Sequence, residues 1–151
     1  MTEPFLVQRR AAGSCPVHLV DAASFPALAE SLGKAARRYL EATGFKGAAN
    51  KIALAPKADG SLECVILGVE PEGSRGFDPF AAGRLPGALP PGPYHFAAPP
   101  PRPDLASLAF VMACYRFARY RKNAPPKVQL SAPRGVDAAE VLRLAEAVAL
   151  G

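Results

Sequence analysis

Two histidines, three cysteines and thirteen scattered carboxylates are the groups in this 151-residue chain from which an active site could be built. His18 and His95 have no carboxylate or cysteine at metal-ligand spacing, so each is read as a structural or surface residue. Cys15, Cys64 and Cys114 are odd in number and contain no C-x-x-C pair. Cys64 and Cys114 fall in apolar runs and are expected to be small core residues; Cys15 lies in a loop-like stretch without an activating neighbour. Glu70 and Glu72 flank Pro71 in a loop, and no other polar cluster supports them as an acid–base pair. Gly73-Ser74-Arg75-Gly76 has backbone N–H groups that an anion can use, but reads more simply as a turn. No Walker loop, dinucleotide fingerprint or nucleophile elbow occurs. The chain is expected to catalyse nothing by itself, with no catalytic, metal or cofactor residue assigned.

Charge is more suggestive than catalytic chemistry. The net charge is +5, and from Leu105 to Val136 there is no acidic residue. Arg116, Arg119, Arg121, Lys122 and Lys127 cluster in that span, with Arg134 beyond them. Cations at a helix C-terminus are favoured by the helix dipole, which gives this cluster a structural reading. It is also a candidate interaction patch for nucleic acid or an acidic partner.

The elements that would position these groups follow from periodicity and punctuation. Pro16–Val20 reads as a strand, with residues 1–15 a loose lead-in. Ser24 and Pro26 open a helix with Leu28, Leu32, Ala35, Ala36 and Tyr39 on one stripe, stopped by Gly44. Two apolar runs, Lys51–Ala55 and Leu62–Val69, flank Asp59-Gly60 as a hairpin; the second run lacks alternation and so reads as a central strand. Asp78–Arg84 is a short helix. Pro86 to Pro103 holds eight of the seventeen prolines and reads as an ordered surface connection, with Tyr94–Ala97 a short edge strand. Asp104–Lys122 is a helix apolar on every side, its main stripe Leu105, Leu108, Met112 and Tyr115, widened by Val111, Cys114 and Phe117. A strand at Lys127–Ala132 follows. A capping box at Asp137 and Glu140 then opens a helix with Val141, Leu144, Ala145 and Val148 expected inside. Strands alternating with helices predict an α/β fold with a mixed sheet between helix layers.

The run Leu108 to Lys122, followed by Val128-Gln129-Leu130 and Gly135-Val136-Asp137-Ala138, resembles the end of the N-terminal domain of the leucyl (cytosol) aminopeptidase family, closest to its bacterial branch. Thr43-Gly44-Phe45-Lys46-Gly47, the hairpin, and Phe77-Asp78-Pro79-Phe80 leading to Leu85-Pro86 and Leu89-Pro90 fit the same domain. The family often has glycine where this chain has Ala113-Cys114, a change that keeps the residues small.

The resemblance implies a three-layer, macro-domain-like fold and a single non-catalytic N-terminal domain over residues 1–151. It also implies a cytoplasmic, hexameric parent aminopeptidase whose two divalent ions, zinc or manganese, sit in a C-terminal catalytic domain without counterpart here. The implied partners are that catalytic domain and other subunits, with nucleic acid as the alternative and no membrane. The close of the last helix at Gly151 suggests a domain boundary.

Overall fold

A computed structural model of the chain describes residues 4–120 and 126–150. Its elements run β1 (Leu6–Val7), β2 (Cys15–Val20), α1 (Phe25–Ser31), α2 (Lys34–Thr43), β3 (Ile52–Pro56) and β4 (Leu62–Gly68). A 3₁₀ turn at Ala81–Arg84 is followed by β5 (Gly92–Phe96), α3 (Pro103–Tyr120), β6 (Val128–Ser131) and α4 (Ala138–Leu150). The chain divides into two compact units, Cys15–Asp78 and Met1–Ser14 with Pro79–Gly151.

In the unit Cys15–Asp78, β4 lies between β2, which it pairs in parallel, and β3, which it pairs antiparallel with Ile52 opposite Leu67. The sheet is therefore mixed, as the sequence predicts. The hairpin forms because Asp59 Oδ1 accepts the Ser61 N–H at 2.9 Å while Gly60 takes φ +89°, a conformation that favours glycine. Cys64 to Leu67 are almost wholly buried, consistent with an unalternating apolar strand. Val20, Phe25, Leu40, Ala53, Cys64 and Ile66 form the core, with Phe25 and Phe45 edge to face at 5.2 Å.

Two features of this unit differ from the sequence expectation. The single helix expected from Ser24 to Gly44 is broken between Ser31 and Lys34, where Gly33 is extended and gives its N–H to Glu63 Oε2 at 3.0 Å. Gly33 is a poor helix residue, and a tertiary carboxylate takes over its donor. Ser24 makes no cap bond into α1. Instead Asp21 Oδ1 accepts the Ser24 N–H at 2.8 Å and Ser24 Oγ accepts the Asp21 N–H at 3.1 Å, a reciprocal turn placed ahead of the helix. That bonding favours ionised Asp21 and holds its carboxyl below the usual range. Gly44 does end α2 as read, in the left-handed conformation at φ +74°.

In the other unit, β6 lies between β1 and β5 and pairs in parallel with both. The stretch expected to be loose thus contains a strand: Leu6 is buried, Leu130 N–H bonds Phe5 O at 2.8 Å, and Ala132 N–H bonds Val7 O at 2.7 Å. The proline zone is not merely superficial, since Leu85, Leu89, Tyr94 and Phe96 within or beside it are buried. Tyr94 anchors it by donating to Pro90 O at 2.7 Å.

Helix α3 is a core helix, but its buried side is rotated from the predicted stripe. Ala106, Ser107, Ala109, Phe110, Val111, Ala113 and Cys114 are buried, so Val111 and Cys114 lie inside as expected, whereas Leu105, Leu108, Met112 and Tyr115 are half-buried. Small side chains admit close neighbours: Gly83 within the 3₁₀ turn sits against the Ala109 backbone. Ser107 is accommodated because its hydroxyl donates to Pro103 O at 2.8 Å, one helical turn back. Helix α4 starts at Asp137, whose carboxylate accepts the Ala139 N–H at 3.0 Å and the Glu140 N–H at 3.4 Å. Its buried stripe is Ala138, Val141 and Ala145; Leu144 and Val148 are 49% and 56% exposed, contrary to the sequence reading. The observed stripe is narrow because alanines, not long side chains, meet the neighbouring elements.

Candidate functional site

The predicted interaction patch lies where α3 leads into β6. Arg116 and Lys127 are exposed. Lys127 also serves the fold through its carbonyl, which accepts the Gly92 N–H at 3.0 Å ahead of the β5–β6 pairing. Arg119 is engaged: its guanidinium donates to Ala149 O at 2.6 Å, near the end of α4. A cation there binds a carbonyl left over by the helix and sits at the negative end of its dipole. Arg121 and Lys122 lie outside the described residues. The structure thus leaves two of the described cations free for solvent or a partner and gives the third an intramolecular role.

The other chemistry-bearing residues do not converge. Cys64 and Cys114 are buried, and burial pushes each thiol up to about 12, the wrong direction for a nucleophile. Cys15 is half-buried and raised for the same reason, with Lys57 opposing slightly. His18 is half-buried in β2, and burial lowers its pKa. Glu70 and Glu72 are exposed in their loop. Ser74 Oγ donates to Pro71 O at 2.7 Å, closing the turn read from Gly73-Ser74-Arg75-Gly76. Among the described residues, no three His, Cys, Asp or Glu side chains are grouped to hold a metal ion, and no helix is long and apolar enough to cross a membrane.

One polar cluster was not legible from spacing. Gln8, just past β1, donates from Nε2 to Val136 O at 2.9 Å and accepts the Ala138 N–H at Oε1, also at 2.9 Å. A single amide therefore clamps the start of α4 to the exit of β1. Nearby in the chain, Ser14 Oγ lies 2.8 Å from His95 Nδ1 and orients that imidazole. Both contacts join residues more than eighty positions apart, so no local motif announces them.

The family model described as "M17 aminopeptidase, N-terminal domain" matches residues 15–133. The chain belongs to that family. The predicted resemblance to the leucyl (cytosol) aminopeptidases is borne out, and the match spans both units. A search of solved structures finds the cytosol aminopeptidase of Coxiella burnetii, at 25% identity and a TM-score of 0.74. The similarity covers 93% of this chain but 31% of the Coxiella protein. No curated protein matches the sequence. The observed α/β fold, with a mixed sheet flanked by helices, is the one expected for this M17 domain.

Proposed function

We propose that this chain is the non-catalytic N-terminal domain of a leucyl-aminopeptidase-like metallopeptidase, serving packing, assembly or regulation of a catalytic domain. The observation that carries the reading is the M17 N-terminal match over 15–133, joined to coverage of only 31% of the Coxiella enzyme. The chemistry agrees: its thiols are shifted away from reactivity, and its described histidines and carboxylates are dispersed. In this reading the parent enzyme is a cytoplasmic hexamer that removes N-terminal residues from peptides. Two zinc or manganese ions would supply a polarised carbonyl and an activated water in the catalytic domain. The partners are that domain and neighbouring subunits. Purified chain should not hydrolyse leucine-p-nitroanilide with added Mn²⁺ or Zn²⁺; metal-dependent turnover that co-purifies with it overturns the reading.

A second reading is favoured by the exposure of Arg116 and Lys127 in an acid-free stretch: a stand-alone module that binds nucleic acid. Labelled DNA and RNA titrated at two salt concentrations test it, because phosphate contacts give affinity that falls steeply with salt. Absence of binding at low salt removes it.

A further inference from the structure

The parallel strands β1, β6 and β5 all point their carboxyl ends the same way, and the segments leaving those ends enclose a cavity of about 250 Å³. Its wall includes Arg10 beyond β1, His95 and Phe96 at the end of β5, and Ser131, Pro133 and Arg134 at and beyond the end of β6. The carboxyl ends of parallel strands are where open α/β sheets place ligands, since the chain diverges there into adjacent loops. Location alone would decide little. The composition decides more.

Two arginines border this cavity and no carboxylate does. In a larger hollow of about 530 Å³ in the other unit, Glu30 and Glu41 accompany Arg37 and Lys46, so its charges can balance. Here no wall residue can balance the guanidiniums. Phe96 and Pro133 add buried apolar surface to the wall, which lowers the local dielectric and strengthens a charged contact. His95 contributes a ring whose orientation is set by Ser14. Ser131 is also a wall residue. It is 6% exposed, and its hydroxyl oxygen is the buried side-chain polar atom, among the described residues, that lacks a hydrogen-bond partner.

We propose that this cavity is a binding site for a phosphate-type oxyanion, either inorganic phosphate or the phosphate of a small phosphomonoester. Arg10 and Arg134 approach from separate strand exits, so together they bracket an anion, and each planar guanidinium matches a phosphate edge. The volume suits a phosphate with at most a small organic group and lies just below the usual range of ligand pockets. The assignment stands independently of the peptidase reading, because it rests on this chain's own residues alone.

Calorimetric titration of the full chain with inorganic phosphate, ribose 5-phosphate and acetate tests the site. Saturable one-to-one binding of phosphate is expected, with acetate much weaker. Phosphate alone binding identifies the free ion as ligand; tighter binding of ribose 5-phosphate identifies a phosphomonoester. Arg10→Ala and Arg134→Ala should each weaken phosphate about tenfold, the loss of one charge-assisted contact. Arg38→Ala, an exposed change on α2, should leave the affinity unaltered. Both test arginines are exposed, so their loss should leave the melting temperature without ligand in place. Absence of saturable phosphate binding, affinity indifferent to both arginine substitutions, or acetate binding as tightly as phosphate each overturns the proposal.

Discussion

At the amino end of β6, Arg116 and Lys127 stand in solvent and Arg119 is taken up by a carbonyl of α4. At the carboxyl end of the same strand, Arg134 and the distant Arg10 share the wall of a cavity with Ser131. The first region has more cations in sequence; the second has fewer, also exposed, but sets them at the rim of one cavity beside buried apolar surface. Charge density along a chain therefore misjudges which arginines can hold a ligand. A solvated guanidinium is screened and gains little from one anion, whereas one beside buried apolar surface is screened less.

The largest expected effect falls on the core of the helix that carries Arg116 and Arg119. Phe110 is fully buried in α3, and Phe110→Ala should cost about 3–5 kcal/mol in urea or thermal unfolding. A loss below about 1 kcal/mol would mean that α3 is not a core helix. Next is the clamp at the cavity end: Gln8→Ala removes two hydrogen bonds and leaves the start of α4 less well held, for about 1–2 kcal/mol. Circular dichroism melts of this variant beside wild type would read it, and an unchanged melt would count against the clamp.

At the basic end the effects shrink. Arg119→Ala should cost about 0.5 kcal/mol through its bond to α4, while Arg116→Ala should be indistinguishable from wild type. Equal melting temperatures for the two variants would erase the distinction between an engaged and a free arginine. The smallest change in stability sharpens the contrast from the other side. Ser131→Ala removes a buried hydroxyl that bonds nothing in the protein, so ligand-free stability should stay within about 0.5 kcal/mol of wild type or rise. A marked fall in its melting temperature would show that the hydroxyl already has a structural partner.

Much of the fold was legible because it is set by neighbours in sequence. Asp59-Gly60 closes its hairpin, Gly44 ends α2, and Asp137 begins α4, each through bonds spanning a few residues. What failed in part was the inference about which side of a helix faces inward. Leu144 and Val148 were expected inside with Val141 and Ala145, yet Ala138 joins the latter two there, because small residues let the neighbours come close. In α3 the same preference turned the buried side towards Ala106, Ala109 and Ala113. Gly33 broke a helix that periodicity joined, because Glu63, thirty residues away, offered its N–H another partner.

By itself, then, the sequence determined the class of fold, its turns and caps, the expected burial of Cys64 and Cys114, and membership of the M17 N-terminal family through packing residues. Only the tertiary structure decided that two residues near the N-terminus complete a parallel trio with β6, and that Arg10, His95, Ser131 and Arg134 border one cavity. The reason is physical. Turns and caps are fixed by short-range sterics and hydrogen bonds, whereas a cavity exists only where strand ends remote in sequence are brought together by the register of a sheet.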